Sequence, residues 1–418
     1  MRPPAVRVAS GGLGAGTVGL ALLVYAVLVL ARIPEIVLQG RLWAEEGAIF
    51  FANAWNLDPV HALAMPVGGY LNLVANGATL AARYAVPLAD APYVTIAVAL
   101  LFQLVPPLIL LTARDQWLEP WPVRLAGMGL LLFVPGSDEI WLQTLHSQFE
   151  LALAGGLILA LEVPPGSRLL FGLFLLVLAP LCGPGAIALA PLFLLRLLLE
   201  RTSGRLLQVV ALGCGSALQV LGFFSLGGGR ALTLNPALLL SVVTVKDLVV
   251  PFTGLTREAS WVTALQSQIA AGHDPFLAIA APLVVFGIVA AVAWGSGNRP
   301  ALWLLAGAAA TALSAYLGAL DGALAIIDLR AGARYAFVPV SLTGLAFLAL
   351  SAGRAPWRWP AAAVCAWLLL VGARAYTRPW PPVAHGPSWR EQVALWQADP
   401  SYAIHLWPSP WVLRLAPK

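Results

Sequence analysis

The stretch Trp43-Ala-Glu-Glu-Gly-Ala-Ile-Phe-Phe-Ala-Asn-Ala-Trp55 holds the first residues able to do chemistry. Glu45 and Glu46 open a short segment in which Phe50, Ala54 and Leu57 have helical spacing. A helix of this kind lies along a membrane interface rather than across it. Acids in its first turn are stabilised by the helix dipole and need no further role. The same dipole keeps a carboxylate ionised, which suits a general base for a hydroxyl. Both readings stand at this point.

Other polar groups interrupt the apolar chain downstream. The run Pro135-Gly-Ser-Asp-Glu-Ile-Trp-Leu-Gln-Thr-Leu-His-Ser-Gln148 carries Glu139, His146 and Gln148 between two apolar helices. These are loop and cap residues on one reading and ligands for sugar hydroxyls on the other. The run Asp328-Leu-Arg-Ala-Gly-Ala-Arg-Tyr-Ala-Phe-Val-Pro339 brings Arg330, Arg334 and Tyr335 to the mouth of a helix. Guanidinium groups there suit a phosphate, with ion pairs to Asp321 or Asp328 as the plainer reading. Arg230 and Lys246, after Gly227-Gly-Gly, are cations of the same kind, and that glycine run lacks the Gly-Lys-Ser/Thr of a nucleotide loop. His61 lies with Pro66 in the loop that carries the acidic pair and is a further candidate for substrate contact. There is no His-Glu-x-x-His, no Gly-x-Ser-x-Gly and no cysteine pair at ligand spacing, so zinc and acyl-transfer chemistry have no motif to stand on.

The elements that must position these groups are membrane helices. Apolar residues make up 60% of the 418-residue chain and charged ones 10%, with a mean hydropathy of +0.84, far from a soluble domain. The apolar content comes in blocks, and only helices satisfy their backbone in lipid when a sheet cannot close. The expectation is an all-α polytopic bundle of eleven or twelve hydrophobic helices, some short or broken, over residues 1–375, with a small tryptophan-rich tail over 376–418. Net charge of +5 rests on scattered arginines rather than a basic stripe, so no nucleic-acid partner is expected. Cys182, Cys214 and Cys365 read as small packing residues without a disulfide framework.

The first span is 16–37, entered behind Arg2 and Arg7 and kept as a transmembrane helix with its N-terminus inside. It leads into the first outward loop, 34–69. In the next block, 69–87, Asn72, Asn76, Thr79 and Arg83 fall on one helical face, which must look into protein or water. Connections holding Arg114 and Arg124, Arg168, Arg196 to Arg205, Arg299, and Arg354 with Arg358 are assigned to the cytoplasm by the positive-inside bias. That count closes only if 69–87 does not cross. The outward connections are then 135–146, 182–185, 225–274, 321–334 and the tail. In the tail, Trp389, Val393 and Trp396 have helical spacing, and 403–415 reads as extended, broken by Pro408 and Pro410.

The acidic pair in the first outward loop, the proline-led outward loop at 135, the break Cys182-Gly-Pro-Gly185 and the run Gly332-Ala-Arg-Tyr-Ala-Phe-Val-Pro339 together resemble the GT-C superfamily of polyprenyl-phosphate-sugar-dependent integral membrane glycosyltransferases. The resemblance implies inverting transfer of a hexose or pentose from a polyprenyl-phosphate donor to a glycan or lipid acceptor, in a bacterial-type plasma membrane with the site facing outward. It matches the family's first-loop acid to Glu46, with Glu45 the alternative, although the family usually carries Asp there. It places outward arginines such as Arg334 on the lipid phosphate, and allows a divalent metal for which no residues are assigned. The rival classes are a transporter or lipid flippase, which would also have broken helices and buried polar stripes, and a structural partner of another membrane enzyme.

Overall fold

The computed structural model describes residues 13–225, 235–255, 260–319, 324–353 and 356–417. Arg2, Arg7, Arg230, Asp321 and Arg354 lie outside the described residues. The fold is all-α, and the one strand pairing among the described residues joins Ile404–His405 to Val412–Leu413 in the tail.

Eight of the described helices are long and apolar enough to cross a membrane. Their outward faces confirm the class: Leu20, Leu23, Leu221, Phe224, Leu277 and Leu283 are all more than half exposed. So much exposed hydrocarbon suits lipid and not water. The centre of the bundle is a shorter helix, Ser147–Ala160, in which every residue except Gln148 is buried. Beyond the first turn, which holds Ser147, Gln148 and Glu150, it is apolar all round, and such a helix has no face to offer solvent. Helices Arg299–Ala319, Phe337–Ser351 and Val105–Thr112 pack around it.

This helix also separates the two ends of the molecule. Beyond its C-terminus, Arg114, Arg168, Arg196, Arg205 and Arg299 line two adjoining hollows that share Glu162 and Pro164. Before its N-terminus lie the first loop, the 135–146 loop and the tail. Two buried arginines bind these three segments together. Arg32, at the end of helix Ala15–Arg32, pairs with Asp138 at 2.8 Å, and Asp138 accepts the backbone N–H of Trp380 at 3.0 Å. Arg41 donates to the carbonyls of Trp141 at 2.6 Å and Val383 at 3.2 Å. Removing either partner would strand a buried charge.

Three expectations change. The connection 225–274 is not merely a loop, because it contains Pro236–Thr253, one of the eight membrane-class helices. Pro236, the Lys246-Asp247 pair and Pro251 break its apolar run and hide it from a hydropathy reading. Lys246 is consequently not a loop cation: it is buried in that helix and donates to the carbonyls of Asp328 and Ala331. Cys214 is exposed rather than packed, whereas Cys182 and Cys365 are buried.

The polar stripe of 69–87 lies on helix Leu73–Ala85. Its 13 residues rise about 20 Å, and its polar face, not its length, sets it apart from the crossing helices. Asn72 caps the helix and donates to Leu145 O at 2.9 Å. Asn76 donates to Leu63 O and Met65 O, at 2.9 and 2.8 Å. Arg83 stacks over Trp55 at 4.0 Å. The stripe is therefore turned into protein and holds the first loop in place.

Candidate functional site

The two glutamates of the first loop have different surroundings. Residues Glu46–Phe51 form a turn of π-helix, a widened geometry that often marks a site. Just before it, Ala44 has a left-handed backbone, φ 35°. This conformation costs energy for an alanine and is held by the N–H of Ala44 bonding Trp407 O of the tail at 2.5 Å.

Glu46 is fully buried, and each of its oxygens is occupied. One takes the N–H of Thr144 at 2.6 Å and the Thr144 hydroxyl; the other takes the N–H of Trp43 at 3.2 Å. Burial pushes this carboxyl up from its ordinary value, while the Thr144 and Trp43 hydrogen bonds and the Arg41 guanidinium pull it back. Arg41 is itself pulled down to about 10 by burial. Glu46 thus joins two loops. Glu45, by contrast, lines a cavity of about 530 Å³ and has no side-chain partner among the described residues.

The same cavity gathers Glu139, His146, Gln148, Arg334 and Tyr335. Arg334 pairs with Glu139 at 2.5 Å and lies over the Tyr335 ring at 5.0 Å, which leaves guanidinium donors free for another ligand. The chain reaches Arg334 through Gly332, at φ 63°, where an added Cβ would come within 2.8 Å of Ile326 and 2.9 Å of Tyr335. His146 lies 2.8 Å, through Nδ1, from Glu139 O. That carbonyl can only accept, so Nδ1 carries the proton and Nε2 is an acceptor. Burial, reinforced by Arg334, pushes the His146 pKa down to about 3. Gln148 donates to the Tyr70 hydroxyl at 3.3 Å. Gly183 packs so closely on Gln148 that a Cβ there would collide with its side chain, which accounts for glycine in the 182–185 break.

The remaining candidates are elsewhere. Arg330 lines a second cavity with Asp138 and lies 5.6 Å over Trp380. His61 is exposed on the short helix Pro59–Ala64 and pairs with Asp58. Lys246 is buried against the 328–331 backbone.

Sequence reasoning missed several walls of the cavity: Tyr70, Phe149, Thr311, Ser314, Pro408 and Trp411. A signal existed for two of them. Thr311, Ser314, Ala315 and Gly318 recur at i, i+3, i+4 and i+7, a stripe of small residues on helix Arg299–Ala319. Pro408 and Trp411 carried none, because their approach to the first loop spans most of the chain.

A divalent ion does not fit this donor set. Among the described residues no three His, Cys, Asp or Glu side chains cluster as metal ligands, and Glu139 is already neutralised by Arg334. Fold and site together define an integral membrane helix bundle with a polar cavity at the end opposite its arginine-rich connections. No family model, curated protein or solved structure matches the chain.

Proposed function

We propose that the protein is a membrane glycosyltransferase that moves a sugar from a polyprenyl-phosphate donor to a hydroxyl acceptor, with inversion, and that Glu45 is its general base. The observation that carries this reading is the convergence on one cavity of Glu45, which has no side-chain partner among the described residues, the Arg334–Glu139 pair and a neutral His146. In a single displacement the acceptor oxygen attacks the anomeric carbon as its proton passes to Glu45. The bond to the phosphate oxygen breaks with its electron pair, and the lipid phosphate leaves. The free donors of Arg334 stabilise that departing charge. His146 Nε2, Gln148 and Tyr70 offer hydrogen bonds to sugar hydroxyls, and Phe149, Val338 and Trp411 limit water.

The cavity is read as opening to the outer face of a bacterial-type plasma membrane. Seven of the eight long helices, together with Trp121–Leu132, Ser147–Ala160, Ser167–Leu178 and Ala190–Glu200, give eleven crossings. In this scheme Leu73–Ala85 and Pro236–Thr253 stay on the outer side. Every arginine-rich connection then falls inside and the tail outside.

The test is donor turnover by the full-length protein in nanodiscs, read as release of polyprenyl phosphate from a panel of polyprenyl-phosphate hexoses and pentoses. Glu45→Gln should reduce turnover by roughly 10² to 10⁴. Undiminished turnover in that variant would remove Glu45 as the base. Lipid movement across the bilayer without sugar transfer would favour the flippase.

A further inference from the structure

We infer a second ligand site, for an anionic lipid phosphate, in the groove between helix Arg358–Tyr376 and the end of helix Pro236–Thr253. The groove has a volume of about 400 Å³ and is lined by Phe252, Arg330, Trp367, Leu370, Arg374 and Arg378, among others. Three guanidinium groups from two separate segments meet there. None of the three is ion-paired to a carboxylate among the described residues. The one acid on the lining, Asp138, is already taken by Arg32 and the N–H of Trp380.

The shape of the groove specifies a lipid over a soluble anion. Trp367, Leu370 and Arg374 lie at i, i+3 and i+7 on one face of the 358–376 helix, and Arg378 follows just past its end. Trp367 and Leu370 are 48% and 54% exposed, on a face that meets hydrocarbon in a membrane. Trp367 is fixed by donating to Phe252 O at 2.9 Å. The stripe thus changes from apolar to basic over about 10 Å of helix, as an acyl chain changes to a headgroup. A helix C-terminus favours cations and would account for Arg374 alone. It does not account for Arg330, which arrives from another segment, nor for three arginines at the end of the molecule away from the arginine-rich connections. The groove adjoins the Glu45 cavity through the turn Asp138–Ile140, where Asp138 lines the groove and Glu139 the cavity.

Native mass spectrometry of the full-length protein in detergent tests this site, with titration by phosphatidylglycerol, phosphatidylcholine or inorganic phosphate. The wild type should retain one phosphatidylglycerol in preference to phosphatidylcholine. Arg374→Gln with Arg378→Gln should weaken that retention roughly thirtyfold, from about one unit of surface attraction lost per arginine. Arg330→Gln, a second variant on a different segment, should weaken it in the same direction. Unchanged retention in both variants, equal retention of phosphatidylcholine, or displacement by inorganic phosphate at matching concentration would each overturn the assignment, the last by showing an anion site without a lipid. Glu45→Gln should retain the lipid as the wild type does, so failure of the transferase reading and failure of this site are separate results.

Discussion

Adjacent residues on a helix point about 100° apart, so of two neighbouring acids only one can face a given cavity. Here the left-handed turn at Ala44 and the π-turn after it aim Glu45 at the cavity and turn Glu46 against Thr144. The two therefore respond differently to substitution. In Glu46→Gln an amide NH₂ replaces one acceptor, and a buried donor from Trp43 or Thr144 loses its partner, at about 1 to 3 kcal/mol. Thermal melts in detergent should show that loss, and Glu45→Gln should melt as the wild type does. A stable but inactive Glu46→Gln beside an active Glu45→Gln would exchange the roles. His146 gives a pH signature. Its folded-state pKa of about 3 lies below the ordinary 6.5, so as pH falls below 6.5 the unfolded chain takes up the proton first. The His146 contribution to stability is thus complete above 6.5 and lost progressively as pH falls from 6.5 toward 3. His146→Gln should flatten the dependence of melting temperature on pH in that interval, and an unchanged slope would show that the ring is protonated in the fold.

At the scale of elements, the site is assembled by the tail as much as by the bundle. Trp407 is 2% exposed, donates to Pro387 O at 2.8 Å and pairs along the backbone with Trp43. Phe51 and Trp55 of the first loop pack on Trp389 and Trp396. Trp407→Ala should cost about 3 to 5 kcal/mol of tail docking, read as faster tryptic cleavage at Arg390 and Arg414 and as loss of turnover with the bundle intact. A variant whose tail stays resistant would show that Trp407 does not hold it. The amphipathic pattern of the tail was legible in its sequence: Trp389, Val393 and Trp396 mark the helix Trp389–Ala398, and the extended stretch after it contains the strand pair. What it covers was not legible, because Pro408 and Trp411 reach the cavity through contacts hundreds of residues apart in the chain. Helix Pro236–Thr253 escaped for the opposite, local reason: Lys246 and Asp247 lower its hydropathy, although Lys246 is satisfied by the 328–331 carbonyls and one oxygen of Asp247 accepts from Tyr316 at 2.7 Å. Burial partners, which decide whether a charge belongs in a helix, are not written in a hydropathy profile.

At the scale of the whole molecule, function depends on which end faces out. Burial of Arg196 and Arg205 around Glu200, at 2.7 Å each, shows that the arginine-rich end is also a packed structure. Its excess positive charge is nonetheless what the cytoplasmic side of a membrane retains. Trp43 and Trp407 are paired, so the tail and the Glu45 cavity lie on the same side, and the proposed eleven crossings from an inside N-terminus would put both outside. The side of the C-terminus therefore reports the side of the cavity. A C-terminal fusion to alkaline phosphatase, which folds only outside the cytoplasm, should be active, and the matching fusion to green fluorescent protein exported by the same route should be dark. A fusion after residue 297, between helices Phe276–Gly295 and Arg299–Ala319, should give the reverse pair. If both fusion sites report the cytoplasm, one of the eleven crossings is miscounted. The reversed pattern at both would put the Glu45 cavity on the cytoplasmic face, where the outward transfer proposed here could not take place.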